Sequence, residues 1–496
     1  MTTRSNLRMS ARPALAGLAA LALAAACSST SSSPSPGAAS APASTTRPTS
    51  AVSTPSATLA EASPSSSPNA SPTGALAECT TIATGLLNPR GITVADDGSV
   101  YVAEAGTGGT EPDFPTAPVG SPVASIAQAS PGASGSPAPV TTHGETGQVT
   151  KIATDGTQSI FVGGLTSYNF MGEVVGPAGV VVGKDGTVYV SIGGPGPGTS
   201  QLEPAGNADS VVKVDSTGTV TELANIGQYE RENNPDPNAV DSNVGGMAMG
   251  TDGLLYVADS GGNDLYSVNP ETSELKLVSV IPGLPSVNGT PNPARGNKPE
   301  VDPVPTSVAA DPKGGVFVGL LTGAALWGTP GSAEVIHVGI DGKIDDSVKG
   351  LNMVTGVAEK DGSIYASELS TNFTATPPEP GQLSMATVGG TPETIFTGLA
   401  LPYGIAVAPD GKSIDIVINS TAEPGATPNG SVINCPLPQV PVESPKATGT
   451  PAASASPLVT MPPETASPEE TAPASMPAES ASPAETSQPS LAPATL

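Results

Sequence analysis

The chain carries few side chains suited to chemistry. Two histidines, His143 and His337, and three cysteines, Cys27, Cys79 and Cys435, stand among 496 residues. That scarcity disfavours imidazole-rich metal centres and nucleophile–base pairs. Acids are better supplied, and three of them, Glu104, Asp259 and Glu368, close runs of one form, as in Leu-Tyr-Val-Ala-Asp259. Carboxylates and amides gathered round one opening could bind a hard cation, Ca²⁺ or another divalent ion. Such an ion polarises an ester carbonyl and activates water, the chemistry of a lactone hydrolase. Glu104 is the first ligand such a site would use, with Asp259 and Asn352 as companions. The competing explanation is that the acids recur because the segment recurs, each satisfying nearby backbone or turn groups. A lyase built on histidine is weaker, because His143 falls in low-complexity sequence and His337 in an outer strand. The single Trp327 reads as packing, and no catalytic residue is assigned.

These side chains need a frame, and self-comparison supplies it. Six segments repeat a turn, a small anchor residue, an apolar strand, a tight turn and a second strand rich in aromatic and β-branched residues. The anchors are Gly91, Gly179, Gly246, Ser307, Gly356 and Gly404, and the tight turns include Asp97-Gly98, Asp185-Gly186, Asp252-Gly253 and Asp361-Gly362. Each pair of strands makes a hairpin. Second hairpins lie between them, as in Gln148–Ile152 with Ser159–Val162, giving four strands per unit. Anchor spacings are 88, 67, 61, 49 and 48 residues; the last two match a propeller blade and the longer ones carry loop insertions. With 58 Gly and 55 Pro, no segment shows helical periodicity.

The expected fold is therefore all-β, a six-bladed β-propeller over residues 76–438, with a low-complexity insertion at 107–145 in the first blade. Cys79–Leu86 has the form of an outermost strand and Gly430–Cys435 that of a third strand. The N-terminal segment would complete the sixth blade, close the ring and remove its edges. In such a ring, the loop before each innermost strand lies at one mouth of the axial channel. There Arg90, Thr306, Thr355 and Tyr403 are the candidate ligand-binding residues.

The rest of the chain is of another kind. Arg4, Arg8 and Arg12, the apolar run Ala14–Ala26 and Cys27 have the order of a secretory signal, 1–26, too short to span a bilayer. Ala24-Ala25-Ala26-Cys27 resembles a bacterial lipoprotein processing site, which would make Cys27 the lipidated residue; ordinary cleavage after Ala26 would instead leave a thiol. Either route places the protein outside the cytoplasm, lipid-anchored on the outer face of the cell membrane or secreted. Residues 27–75, rich in Ser, Pro, Ala and Thr, and the acidic tail 439–496 have too little apolar surface to fold and read as disordered. With Cys27 consumed, Cys79 and Cys435 remain as a pair, expected to be bridged in an oxidising compartment, the alternative being two buried thiols. Loss of the three signal arginines takes the formal charge from −27 to −30. Nucleic acid is thereby disfavoured as a partner, and membrane contact is expected only through the N-terminal lipid.

Residues 79–435 resemble the ScyD/ScyE-type exported propellers, related to the NHL and gluconolactonase-like six-bladed rings. Carrying segments are Asn88-Pro-Arg-Gly-Ile92 with Tyr101-Val-Ala-Glu-Ala-Gly106, Tyr256-Val-Ala-Asp-Ser-Gly261, and Val304-Pro-Thr-Ser-Val-Ala309 with Phe317-Val-Gly-Leu-Leu-Thr-Gly323. The resemblance implies an exported ring of a kind first recognised with a cyanobacterial sunscreen pigment; the insertion at 107–145 departs from it. The expected function is a monomeric cell-surface scaffold for a small molecule, glycan or protein, with no established cofactor. A divalent-metal-dependent lactonase at the channel mouth is the alternative.

Overall fold

A computed structural model describes residues 76–438 apart from 113–140, 171–172, 196–204, 239 and 422–428. The signal segment, Cys27, the stalk and the acidic tail lie outside the described residues. Six antiparallel sheets follow one another along the chain, with innermost strands Pro89–Val94, Pro177–Val182, Val244–Met249, Pro305–Ala310, Val354–Lys360 and Ile405–Val407. The second strands Val100–Glu104, Val188–Ile192, Leu255–Asp259 and Val316–Leu320 are buried at every position. A neighbouring blade covers each face, so these strands read as continuous apolar runs rather than alternating ones. Apolar packing accordingly lies between blades: Tyr101, Ala103 and Val149 of blade 1 meet Val180, Val188 and Val190 of blade 2.

Blade 6 takes its third strand, Gly430–Pro436, from one end of the ordered chain and its outermost strand, Thr80–Leu86, from the other. Their register runs from Thr80 opposite Asn434 to Leu86 opposite Gly430. The sheet of blade 6 is thus completed from both ends of the ordered chain, which closes the ring. Cys79 and Cys435 are joined by a disulfide where the other blades have a covalent turn between their third and fourth strands.

The two ends of the ring differ. At one, the strands are joined by short turns in which an Asp carboxylate accepts the N–H two residues on, at 2.8–3.2 Å, in Asp97, Asp155, Asp185, Asp252, Asp311, Asp341 and Asp410. These are Asx turns, which favour Asp for this reason. At the other end lie the long connections, among them residues 205–209, 226–238, 281–304 and 369–380.

The anchors bring neighbouring innermost strands together backbone to backbone. A Cβ on Gly91 would meet Ala178 O at 2.5 Å and Gly179 Cα at 2.8 Å, and one on Gly404 would meet Arg90 O at 2.4 Å. Blade 4 has Ser307 at this place and exchanges it across the strand pair. Gly179 stands opposite Ser191 and Gly356 opposite Ser367, whereas Ser307 stands opposite Gly319.

Two features depart from the sequence reading. The connection between blades 2 and 3 contains a helix, α1 (Ile226–Asn233), although no helix was expected. Eight residues are too few for a periodicity to show, and the helix is held by its ends. Asn225 Oδ1 accepts the Gln228 N–H at 2.7 Å, and Asn234 closes the other end in the left-handed conformation. In blade 1 the third and fourth strands, Thr142–Ile152 and Gln158–Phe170, extend as a ribbon beyond the ring. His143 therefore sits in a strand, opposite Tyr168, rather than in structureless sequence.

Candidate functional site

The expected ligand-binding and metal-binding residues all reach the loop-bearing end, and the structure gives each a partner there. Glu104 Oε2 accepts the Leu87 N–H at 2.6 Å, while Oε1 accepts from Gln148 Nε2 at 3.0 Å and from Thr150 Oγ1. Glu368 repeats the arrangement in blade 5. It accepts from Asn352 N at 2.8 Å, Asn352 Nδ2 at 2.6 Å, Gln382 Nε2 at 2.9 Å and Ser384 Oγ at 2.5 Å. In blade 3, Asp259 accepts from Ser242 Oγ and Asn243 N, both at 2.7 Å, and from Gly261 N and Gly262 N. Each acid clamps the chain entering its own blade, so the recurrence has a structural cause.

The clamp occupies alternate blades. At the same register position blades 2 and 4 carry Ile192 and Leu320, opposite Pro177 and Pro305. Glu104, Asp259 and Asn352 thus belong to three different blades, and Asn352 turns its amide onto Glu368 and its oxygen onto Gly331 N at 2.8 Å. Among the described residues, no three His, Cys, Asp or Glu side chains are arranged to hold a metal ion.

Round the axis the hydroxyls fasten one blade to the next. Thr306 Oγ1 donates to Val354 O at 2.8 Å, Thr355 Oγ1 to Pro402 O at 3.0 Å, and Ser191 Oγ to Gly245 O at 2.6 Å. Arg90, 5% exposed, donates to Ser420 O at 3.1 Å and Val174 O at 3.0 Å, pairs with Glu173 at 3.4 Å, and stacks over Tyr403 at 4.9 Å. It bridges blade 6 to the far side of blade 1. The axial cavity lined by the anchors, Thr306, Thr355 and Tyr403 has a volume of about 50 Å³. That is room for water, not for a substrate, which takes some hundreds of Å³, roughly 300 or more.

The strongest electrostatic feature lies on blade 3, and of its members only Asp259 stood out in the sequence. Glu230 of α1, Asp264 and Asp259 are completely buried, and Asp236 is nearly so. Tyr266 Oη donates to Glu230 Oε1 and lies 3.3 Å from Asp264 Oδ2, so one phenol hydroxyl joins the two carboxyl groups. The cation of the cluster, Arg295, turns to Asp236 at 3.2 Å and to Asp302 at 2.5 Å, not to that pair. Burial, above all, pushes Glu230 up to about 7 and Asp264 up to about 10, the latter also through its bond to Glu230. Half-buried Asp241 is raised to about 7, by burial and then by the charge of Asp259. The sequence signal for this cluster was the long spacing on either side of Gly246, where loops supply Glu230, Asp236, Asp241, Arg295 and Asp302.

The histidines stand apart from this end or outside its chemistry. His337 lies in blade 4 near the turn-bearing end, with Nδ1 2.6 Å from Asp345 and Nε2 3.3 Å from Asp311. Trp327 packs edge-on against Phe373 at 5.3 Å and donates to Thr322 O at 2.9 Å.

No family model matches the chain, and no curated protein does. Solved structures similar to it include a virginiamycin B lyase from Staphylococcus aureus, 12% identical, covering 72% of this chain and 98% of that one, TM-score 0.36. A gluconolactonase from Xanthomonas campestris is 10% identical over 72% of this chain and 88% of that one, TM-score 0.40. A PQQ-bound aldose sugar dehydrogenase from Streptomyces coelicolor is 14% identical over 72% and 96%, TM-score 0.37. What these proteins have in common with the chain is the propeller architecture; their activities differ from one another, and none bears on the ScyD/ScyE resemblance.

Proposed function

We propose that the protein is an extracytoplasmic binding scaffold, tethered through a lipid on Cys27 or released, whose loop-bearing end takes a small molecule, glycan or protein partner. The observation that carries this reading is the state of the ring's axis. Its polar side chains bridge one blade to the next, and the axial cavity among the described residues has a volume of about 50 Å³. Long connections at one end only, with acids outnumbering bases there, favour a neutral or cationic partner held across the loops. The carboxylates that a lactonase would need are engaged in separate blades, which favours the scaffold over the hydrolase.

A panel of lactones and esters, assayed with and without Ca²⁺ or Mn²⁺, tests the choice. No turnover is expected in wild type. Metal-dependent turnover that disappears in Glu104→Ala, while the variant stays folded, would replace the scaffold by the hydrolase.

A further inference from the structure

The buried pair on blade 3 is not needed to close the ring, and its geometry is unlike that of the clamps. A clamp carboxylate is surrounded by N–H and O–H donors. Glu230 and Asp264 face each other instead, with Tyr266 as the single donor that reaches both, and Glu230 Oε2 and Asp264 Oδ1 are left buried without a partner. Tyr266 has one hydroxyl proton, so it bonds to both carboxyl groups only when one of them is protonated and donates to its oxygen.

Among the described residues, the charged groups packed about the pair are acids and a cation already engaged by other acids. From its own element the pair faces Tyr229, whose ring lies 5.4 Å from that of Tyr266. Asp259 faces it from the second strand of blade 3, and Asp236 and Asp241 from the chain after α1. In the blade 3 to blade 4 connection, Arg295 is engaged by Asp236, Asp302 and Glu300. At the start of α1, Asp209 holds the helix through its backbone oxygen, which accepts from Ile226 N at 2.8 Å and Gly227 N at 3.1 Å.

We propose that α1 and the chain just after it, residues 228–238, form a proton-locked clasp over the loop-bearing end, fastened to blade 3 by the protonated Glu230–Tyr266–Asp264 bridge and released when the pair ionises. The hinge is the backbone bond to Asp209, whose own buried carboxyl side chain packs against Gly227. Release would uncover Asp259 and the half-buried Asp241, so pH would set how much of this end a partner meets. The clasp stands on the pair's geometry and holds whichever partner the end takes.

The sign follows from linkage. Both carboxyls hold their protons more tightly when the clasp is shut than in water, so the shut state is fully favoured below the ordinary carboxylate range. It is lost as pH rises through about 7 and towards about 10. Each proton retained only in the shut state makes opening roughly tenfold easier per pH unit.

Hydrogen exchange on the full-length chain, read as protection factors corrected for intrinsic exchange, tests this. Protection of residues 228–238 should fall with rising pH across this range, while strands of blade 5 keep theirs. Glu230→Gln supplies a permanent donor to Asp264 and should flatten the profile; Asp264→Asn is the second variant if the first does not fold. Parallel profiles in wild type and variant would overturn the proposal. So would millimolar CaCl₂ restoring protection in wild type at alkaline pH but not in Glu230→Gln, which would assign the pair to a cation instead.

Discussion

The serine and glycine exchanged between the first two strands of blade 4 can be tested as a pair. A Cβ at position 319 would stand 2.5 Å from Ser307 Oγ, 2.7 Å from Val354 Cγ1 and 2.8 Å from Val357 Cγ2. Gly319→Ser alone should therefore cost about 1–3 kcal/mol, the usual result of overfilling a packed interior. Ser307→Gly alone removes a buried hydroxyl that has no partner. Relief of about 1 kcal/mol is set against about 0.5–1 kcal/mol for glycine in a strand, so this change should be close to neutral.

Together the two substitutions recreate blades 2 and 5, where Ser191 and Ser367 donate across the blade boundary to Gly245 O and Tyr403 O. By register, a serine at 319 would reach Thr355 O. The coupling between the sites should recover about 1–2 kcal/mol, a size expected only of residues in contact. Urea unfolding of the four proteins, followed by Trp327 fluorescence, measures the cycle. A neutral Gly319→Ser, or a double variant as unstable as that single one, would refute the reasoning.

Three further outcomes are expected. Cys79→Ser opens a loop with a sequence separation of 356, for which chain entropy sets an upper bound of about 5–6 kcal/mol; the urea midpoint should fall, and a reductant should lower wild type but not the variant. Glu104→Ala strands the donors Leu87 N, Gln148 and Thr150 and should cost about 1–3 kcal/mol. Calorimetry should find Glu104→Gln less damaging. Asp241, raised to about 7, contributes stability that is complete below its ordinary 3.8 and lost as pH rises through about 7. Asp241→Asn should thus lessen the decline in melting temperature between mildly acidic and mildly alkaline pH.

The ring was legible because its parts are local and repeated. An Asp-Gly turn, a Tyr between valines and a glycine anchor each answer to one physical need, and six copies reinforce one another. Closure was legible too, since Cys79–Leu86 has the form of a fourth strand with no third strand before it, and Gly430–Cys435 that of a third strand with no fourth after it. The candidate site was not. Glu104 and Glu368 look like ligands in sequence because an acid at a strand end is equally suited to a cation and to a row of backbone N–H groups. Only the positions of Leu87, Asn352 and Gln148 decide between the two. Glu230 and Asp264 lie 34 residues apart on different elements, and nothing in either local sequence marks their meeting. Helix α1 escaped notice because caps, not an apolar stripe, define it.

Closure by the N-terminal strand also decides how the domain bears tension. Thr80 stands opposite Asn434 at the rim of blade 6, and the disulfide spans the chain just outside this last pair. A pull applied through residue 76 and residue 438 therefore loads a covalent bond first, and the hydrogen-bonded ring behind it is mechanically bypassed. Reduction of that one bond would transfer the same load to the seam between Thr80–Leu86 and Gly430–Pro436, turning a taut link into a strip that unzips from one end.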